Sequence, residues 1–224
     1  MSSSPAFLPT APTSGRGFFV TFEGGDGSGK STQTSRLTSS LVSAGRRVVR
    51  TREPGGTPMA ETLRGLVLDH GHGPVDARTE ALLYSTARAS HVAQVIRPAL
   101  QRGDVVVCDR FVDSSLAYQG VGRGLGLEAV AELNRFASGG LVPDLTVLLD
   151  VSAEVGRSRR RNGPGQEDRL ESEPDDFHES IRQAFLSLAA ASPERYVVLD
   201  AGRPQEDLAQ EILELVLRRS GGDA

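Results

Sequence analysis

Gly24-Gly25-Asp26-Gly27-Ser28-Gly29-Lys30-Ser31-Thr32 decides how this chain reads. The stretch fits G-x-x-x-x-G-K-[ST], whose glycines let successive backbone N–H groups turn onto phosphate oxygens. Before it, Phe18-Phe19-Val20-Thr21-Phe22 is apolar, β-branched and aromatic, which predicts a buried strand. After it, Leu37 and Leu41 share a helical face and Gly45 supplies the stop, which predicts a helix. Strand, glycine loop and helix in that order form a phosphate cradle, completed by the positive end of the helix dipole. Lys30 is expected at the β- and γ-phosphates and the Ser31 hydroxyl on Mg²⁺. The pattern implies a bound nucleoside triphosphate and does not say what is done with it.

The chain has 224 residues, 38% hydrophobic and 24% charged, which fits one sizeable soluble α/β domain better than two small ones. A net charge of −4 excludes a surface built as a whole to coat nucleic acid or an acidic membrane. Anion sites must then be local concentrations of Lys and Arg. The single cysteine, Cys108, excludes an internal disulfide, favours a reducing, cytoplasmic setting, and reads as a small buried hydrophobe within Val105–Cys108. No Cys/His spacing suits zinc, and no apolar run approaches the ~20 residues that span a bilayer. Residues 1–16, rich in Ser, Pro and Ala, lack the pattern of a secretory signal and read as a disordered leader. The folded domain is expected over 17–219, with a flexible tail over 220–224.

Apolar runs alternate with helical spacing along the chain. Phe18–Phe22, Val48–Thr51, Val105–Cys108, Leu145–Asp150 and Tyr196–Leu199 read as strands. Val92, Ile96, Ala99 and Leu100 follow a helical period, as do Leu208, Ile212, Leu215 and Val216. The alternation predicts an α/β fold, a five-stranded parallel sheet flanked by helices, with ligands beyond the carboxyl ends of its strands.

Five clusters stand where such a sheet would place them. Thr51-Arg52-Glu53-Pro54-Gly55-Gly56-Thr57 follows the second strand, either as a plain connection or as a rigid bend that sets Arg52 and Glu53 over the active edge. Asp109-Arg110-Phe111 follows the third strand, where Asp109 is the expected partner of the nucleotide's Mg²⁺ and Arg110 can fork onto an acceptor phosphate. Tyr84 and Arg88 share a helix face, as a ring and guanidinium for a nucleobase or equally as a core tyrosine beside a surface arginine. Asp113-Ser114-Ser115-Leu116-Ala117-Tyr118-Gln119-Gly120 offers polar groups for a base or sugar, or an ordinary N-capped helix start. Arg157-Ser158-Arg159-Arg160-Arg161, broken at Gly163-Pro164-Gly165, reads as an arginine-bearing lid over about 157–172, since no aromatics interleave it for a polynucleotide.

Taken together, these motifs resemble the bacterial thymidylate kinases, nucleoside monophosphate kinases of the P-loop class. The resemblance runs from about Gly17 to about Arg218 and rests on Phe22–Thr32, Thr51–Thr57, Asp109–Phe111, Ala117–Gly120, Pro143–Thr146 and Asp168–Glu171. It implies that Asp26 accepts from the deoxyribose 3′-hydroxyl, and that Arg110, with Arg52 nearby, holds the acceptor phosphate. Tyr84 would stack on thymine, where the family commonly carries Phe. Arg88 would bond a thymine carbonyl, Ser114, Ser115 and Gln119 would complete the surroundings beside Glu53 and Pro54, and Tyr118 would favour deoxyribose. Gly27 stands where one subclass places a loop arginine. The chain therefore resembles the other subclass, whose arginine comes from the lid: Arg159, Arg160 or Arg161, with Arg161 favoured.

The implied reaction is ATP + dTMP → ADP + dTDP with Mg²⁺, in dTTP biosynthesis, by a cytoplasmic homodimer with no nucleic-acid or membrane partner. Two other readings stay open on residues alone. One is a deoxynucleoside kinase, against which Asp26 and the Arg52–Thr57 segment weigh. The other is a nucleotide-regulated binding protein, which the lack of an Asn-Lys-x-Asp guanine motif weakens.

Overall fold

The computed structural model describes residues 17–161 and 168–221, the Arg160 side chain excepted. Five strands form it: β1 (Phe18–Glu23), β2 (Val48–Arg52), β3 (Val105–Asp109), β4 (Leu145–Asp150) and β5 (Tyr196–Asp200). All pair in parallel, in the order β2-β3-β1-β4-β5. The five runs named from the sequence are these strands, four of them one residue longer at the carboxyl end. The α-helices are α1 (Lys30–Ser43), α2 (Pro58–Leu68), α3 (Ala77–His91), α4 (Arg97–Gln101), α5 (Val112–Ser115), α6 (Leu127–Ser138), α7 (Ala153–Arg161), α8 (Asp175–Ala191) and α9 (Gln205–Arg219).

Strand side chains alternate between the sheet's two faces, and each face meets its own helices. Val20, Phe22, Leu145 and Val147 pack with Leu37 and Leu41 of α1 and with Leu208, Ile212 and Val216 of α9. Phe19, Val106 and Cys108 face the other way, onto Ile96, Ala99, Leu100 and Val130. Cys108 is fully buried, the small apolar role expected of it. Asp144 ties the start of β4 to β1: its carboxylate accepts from Phe19 N–H at 2.7 Å, and its own N–H donates to the Phe19 carbonyl at 2.8 Å.

The helical reading of Val92–Leu100 holds in outline and departs in detail. Val92–Ile96 is a wide π-turn between α3 and α4. Pro98 explains the departure, because its ring lacks an N–H and crowds the carbonyl one turn back. A second π-segment, Leu116–Gly122, carries Tyr118 and Gln119. The capped helix start weighed for Asp113–Gln119 is absent: α5 has no side-chain cap, and Asp113 instead forms a buried ion pair with Arg195 at 2.6 Å.

β1 lies in the middle of the sheet, so the glycine loop that follows it opens at the centre of the carboxyl edge, beside the end of β3. The loop's position therefore depends on the packing under β1 and β4. Leu145→Ala, at a fully buried site between α1, α9 and the sheet, is expected to cost about 2–5 kcal/mol. Urea denaturation should record this as a lower midpoint at an unchanged slope.

Candidate active site

The loop turns from β1 into α1 through Gly24, Gly25, Asp26, Gly27, Ser28 and Gly29. α1 starts after Gly29 with no side-chain cap and no acidic residue in its first turn. Its first N–H groups and its positive end are thus left for an anion. Gly27 has φ 80°, and a Cβ there would meet the Gly156 carbonyl at 2.3 Å. The close approach of α7 therefore bars any side chain from this loop position, which is the physical reason a loop arginine is not an option here.

Lys30 is buried, and its Nζ donates to the Gly24 and Gly25 carbonyls at 3.0 and 2.8 Å. Burial and the neighbouring Arg110 push its pKa down to about 8. The Ser31 hydroxyl donates to Asp109 Oδ2 at 2.8 Å. A hydroxyl and a carboxylate side by side are hard oxygen donors, the chemistry that Mg²⁺ prefers when phosphates and water complete its shell. Among the described residues no group of three His, Cys, Asp or Glu is placed to hold a metal. These two side chains fit an ion that arrives with a nucleotide. Thr32 lines the same cavity.

Asp109 and Arg110, adjacent in sequence, do not pair with each other. Arg110 is the one non-glycine among the described residues with positive φ, at 69°. That turn sends its guanidinium away from Asp109, onto Asp26, the Gly24 carbonyl and the Ser114 hydroxyl. The Tyr118 hydroxyl donates to the other Asp26 oxygen at 2.9 Å. Burial alone would raise the Asp26 pKa. Arg110, Lys30 and the Tyr118 hydroxyl outweigh it and hold the carboxyl well below the usual range. Glu23, wholly buried at the end of β1, accepts from Phe111 N–H at 2.8 Å and from Ser114 Oγ at 2.6 Å. It therefore grips both the backbone after Arg110 and the hydroxyl that receives Arg110. Burial and the nearby Asp113 push Glu23 up to about 8.

On the far side of the cavity α3 presents Tyr84 and Arg88, and the structure reverses the bland reading of that pair. Arg88 is the buried member, 2% exposed, and Tyr84 the partly exposed one. Arg88 Nε donates to Glu53 at 2.7 Å, and its two terminal nitrogens bond Ser115, Asn134 and the Phe111 carbonyl. Four of its five N–H groups are spent, leaving one for a ligand. Glu53 also receives His91 at 3.0 Å, so its carboxylate orients Arg88. Pro54 lines the cavity after a cis Glu53–Pro54 bond. Arg52 also lines it and pairs at 2.9 Å with Glu61. Gln119 is buried and donates to Glu80 at 2.9 Å.

From α7, Arg159 approaches the loop: it donates to the Gly27 carbonyl at 3.4 Å and to the Ala201 carbonyl at 2.9 Å. Arg161 is exposed and lies away from the cavity lining. Arg157 pairs with Asp175. The Arg160 side chain and residues 162–167 lie outside the described residues, as do the leader over 1–16 and the last part of the tail. After them Asp168 accepts from the N–H groups of Leu170 and Glu171, each at 2.9 Å, and Arg169 donates to the Val67 carbonyl and to Glu80.

One cavity of about 630 Å³ is lined by Lys30, Ser31 and Arg159 toward one end and by Tyr84, Arg88 and Gln119 toward the other. Asp109 and Arg110 stand between. Reading the sequence missed Glu23, Glu80 and Asn134. Glu80 had a signal: it precedes Tyr84 by one helical turn on the face shared with Arg88. Glu23 and Asn134 had none, since their partners lie far along the chain.

Known proteins resemble this chain over nearly its whole length. The family model described as thymidylate kinase matches residues 22–212. A thymidylate kinase of Leifsonia xyli subsp. xyli is 52% identical over 203 residues, covering 91% of this chain and 96% of that protein. One from Clavibacter sepedonicus is 53% identical over 196 residues, covering 88% and 92%. One from Deinococcus radiodurans is 50% identical over 206 residues, covering 91% and 98%. With a phosphate loop that opens onto this cavity, a family model matching residues 22–212 and relatives of this closeness, the chain belongs to the thymidylate kinase family.

Proposed function

We propose that this chain performs its family's reaction in the cavity above β1 and β3, moving the γ-phosphoryl group of ATP to dTMP and releasing ADP and dTDP. The single observation that carries the placement is the continuity of that cavity, from Lys30 to Tyr84 past Arg110. A triphosphate on the loop and a monophosphate on Arg110 meet there end to end. The acceptor phosphate oxygen is already a competent nucleophile, so positioning and charge neutralisation are what the protein must supply. Lys30 and the α1 N-terminus hold the donor. Arg110, steadied by Glu23, Ser114 and Asp26, aims the acceptor, with Arg52 beside it. Asp26 takes the deoxyribose 3′-hydroxyl, and Tyr118 presses on the sugar. Tyr84 stacks on the base, and the spare Arg88 N–H bonds its carbonyl. Ser31 and Asp109 would hold Mg²⁺, which would offset the charge of the donor phosphates when bound.

The product feeds dTTP synthesis, in the cytoplasm by the reducing setting that a lone buried thiol suits. Among the described residues no helix is long and apolar enough to cross a membrane. A homodimer belongs to the same proposal. Its support is apolar exposure on neighbouring helices: Met59 and Leu66 on α2, Leu82 on α3, and Phe136 on α6, which is 87% exposed. Phe136→Asp is expected to shift sedimentation from dimer toward monomer.

An ADP-release assay over dTMP, thymidine and other monophosphates tests the reaction. dTMP should be the preferred acceptor, and turnover of thymidine alone would favour a nucleoside kinase. Lys30→Ala should abolish most of that turnover.

Arg159, which already reaches the loop, is the lid arginine we place on the transferring group. Arg159→Ala should then cost on the order of 10³ in kcat, within the range such arginines supply. A larger loss from Arg161→Ala would transfer the role to Arg161.

The lowered pKa of Lys30 sets a pH dependence. Its ammonium form is lost as pH rises through about 8, whereas polyphosphate favours that form. ATP affinity should fall above pH 8, and binding near pH 8 should take up a proton. Calorimetry in two buffers of different ionisation enthalpy reads this directly.

A further inference from the structure

Glu80 is wholly buried, yet it is not part of the machinery assigned above. It stands on α3 one turn before Tyr84. Its carboxylate is held by two guanidinium groups, Arg123 at 3.2 Å and Arg169. A carboxylate so held accepts hydrogen bonds and does not donate. Its Oε1 also receives Gln119 Nε2 at 2.9 Å. The Gln119 amide is therefore not free to turn over: reversing it would set its oxygen against an oxygen of Glu80. Gln119 Oε1 makes no hydrogen bond among the described residues, and Gln119 lines the cavity beside Arg88 and Ser115. The cavity lining thus includes an acceptor, Gln119 Oε1, and a donor, the spare N–H of Arg88.

We propose that Glu80 is a specificity-determining positioning residue, which locks the Gln119 amide with its oxygen toward the acceptor base. A pyrimidine with a ring N–H beside a carbonyl complements that pattern. A pyrimidine with a bare ring nitrogen beside an amino group meets acceptor against acceptor and donor against donor. Buried mismatches of this kind are where hydrogen-bonding sites discriminate most strongly. The inference rests on the placement of the base between Tyr84, Arg88 and Gln119 given above.

The test compares dTMP with 5-methyl-dCMP, which has the same shape and differs only at ring positions 3 and 4. The readout is the ratio of their kcat/KM values. Glu80→Gln gives Gln119 a partner that can donate as well as accept, so the amide can reverse. The ratio should fall by about tenfold or more, and Glu80→Gln should leave it unmoved in a Gln119→Ala background. A purely structural role would lower both substrates together and keep the ratio, which overturns the proposal. Should Glu80→Gln not fold by circular dichroism, Glu80→Asp keeps the charge and withdraws the carboxylate, and its ratio should fall in the same direction. Gln119→Ala alone must also lower the ratio, and an unmoved ratio there overturns the proposal whatever the Glu80 variants do. A native chain inactive on dTMP would instead refute the placement of the reaction itself.

Discussion

Repulsion between two phosphorylated substrates is the constraint on which the rest of this structure depends. Their phosphates must come within bonding distance, and water screens poorly in a half-closed cavity. The fold meets that constraint with fixed positive groups. The uncapped start of α1 and the Lys30 ammonium face one end of the cavity, and Arg110 stands at its middle. None of these cations is left to move freely. Lys30 is tethered to loop carbonyls. Arg110 is held by Asp26, Ser114 and the Gly24 carbonyl.

Holding a buried cation requires a buried anion, and buried carboxylates stand at and behind the cavity wall. Glu53 orients Arg88, and Glu80 gathers Arg123, Arg169 and Gln119, while Glu23, its pKa pushed up to about 8, fixes the turn that carries Arg110 through hydrogen bonds from Phe111 N–H and the Ser114 hydroxyl. Removing one partner of such a pair leaves a charge uncompensated in a poor solvent, which is costly. These carboxylates also link distant segments. Glu80 ties α3 to the π-segment that bears Gln119 and to the turn that holds Arg169, so two parts of the cavity wall share one support.

Steric exclusion works alongside charge. α7 packs so closely on the loop that Gly27 can carry no side chain, and the same helix brings Arg159 to the Gly27 carbonyl. A loop arginine and this packing are mutually exclusive. The glycine at position 27 thus has a direct cause in the contact between loop and helix.

The sequence by itself determined the five strands, the parallel α/β class, the phosphate loop and most residues that face the cavity. Those features rest on local rules: alternation along a strand, glycine in a tight turn, and a side chain repeating on a helix face. Tertiary structure decided which charges pair. Asp109 and Arg110 are neighbours in the chain, yet a left-handed turn at Arg110 sends one to Ser31 and the other to Asp26. Spacing alone leaves Arg88 either at a nucleobase or on the surface, and its burial follows because Glu53, Ser115 and Asn134 arrive from three other segments. Glu23 and Glu80 gain their roles in the same way. A local pattern cannot record such roles, because the energy of a buried charge depends on partners that only folding brings within hydrogen-bond distance.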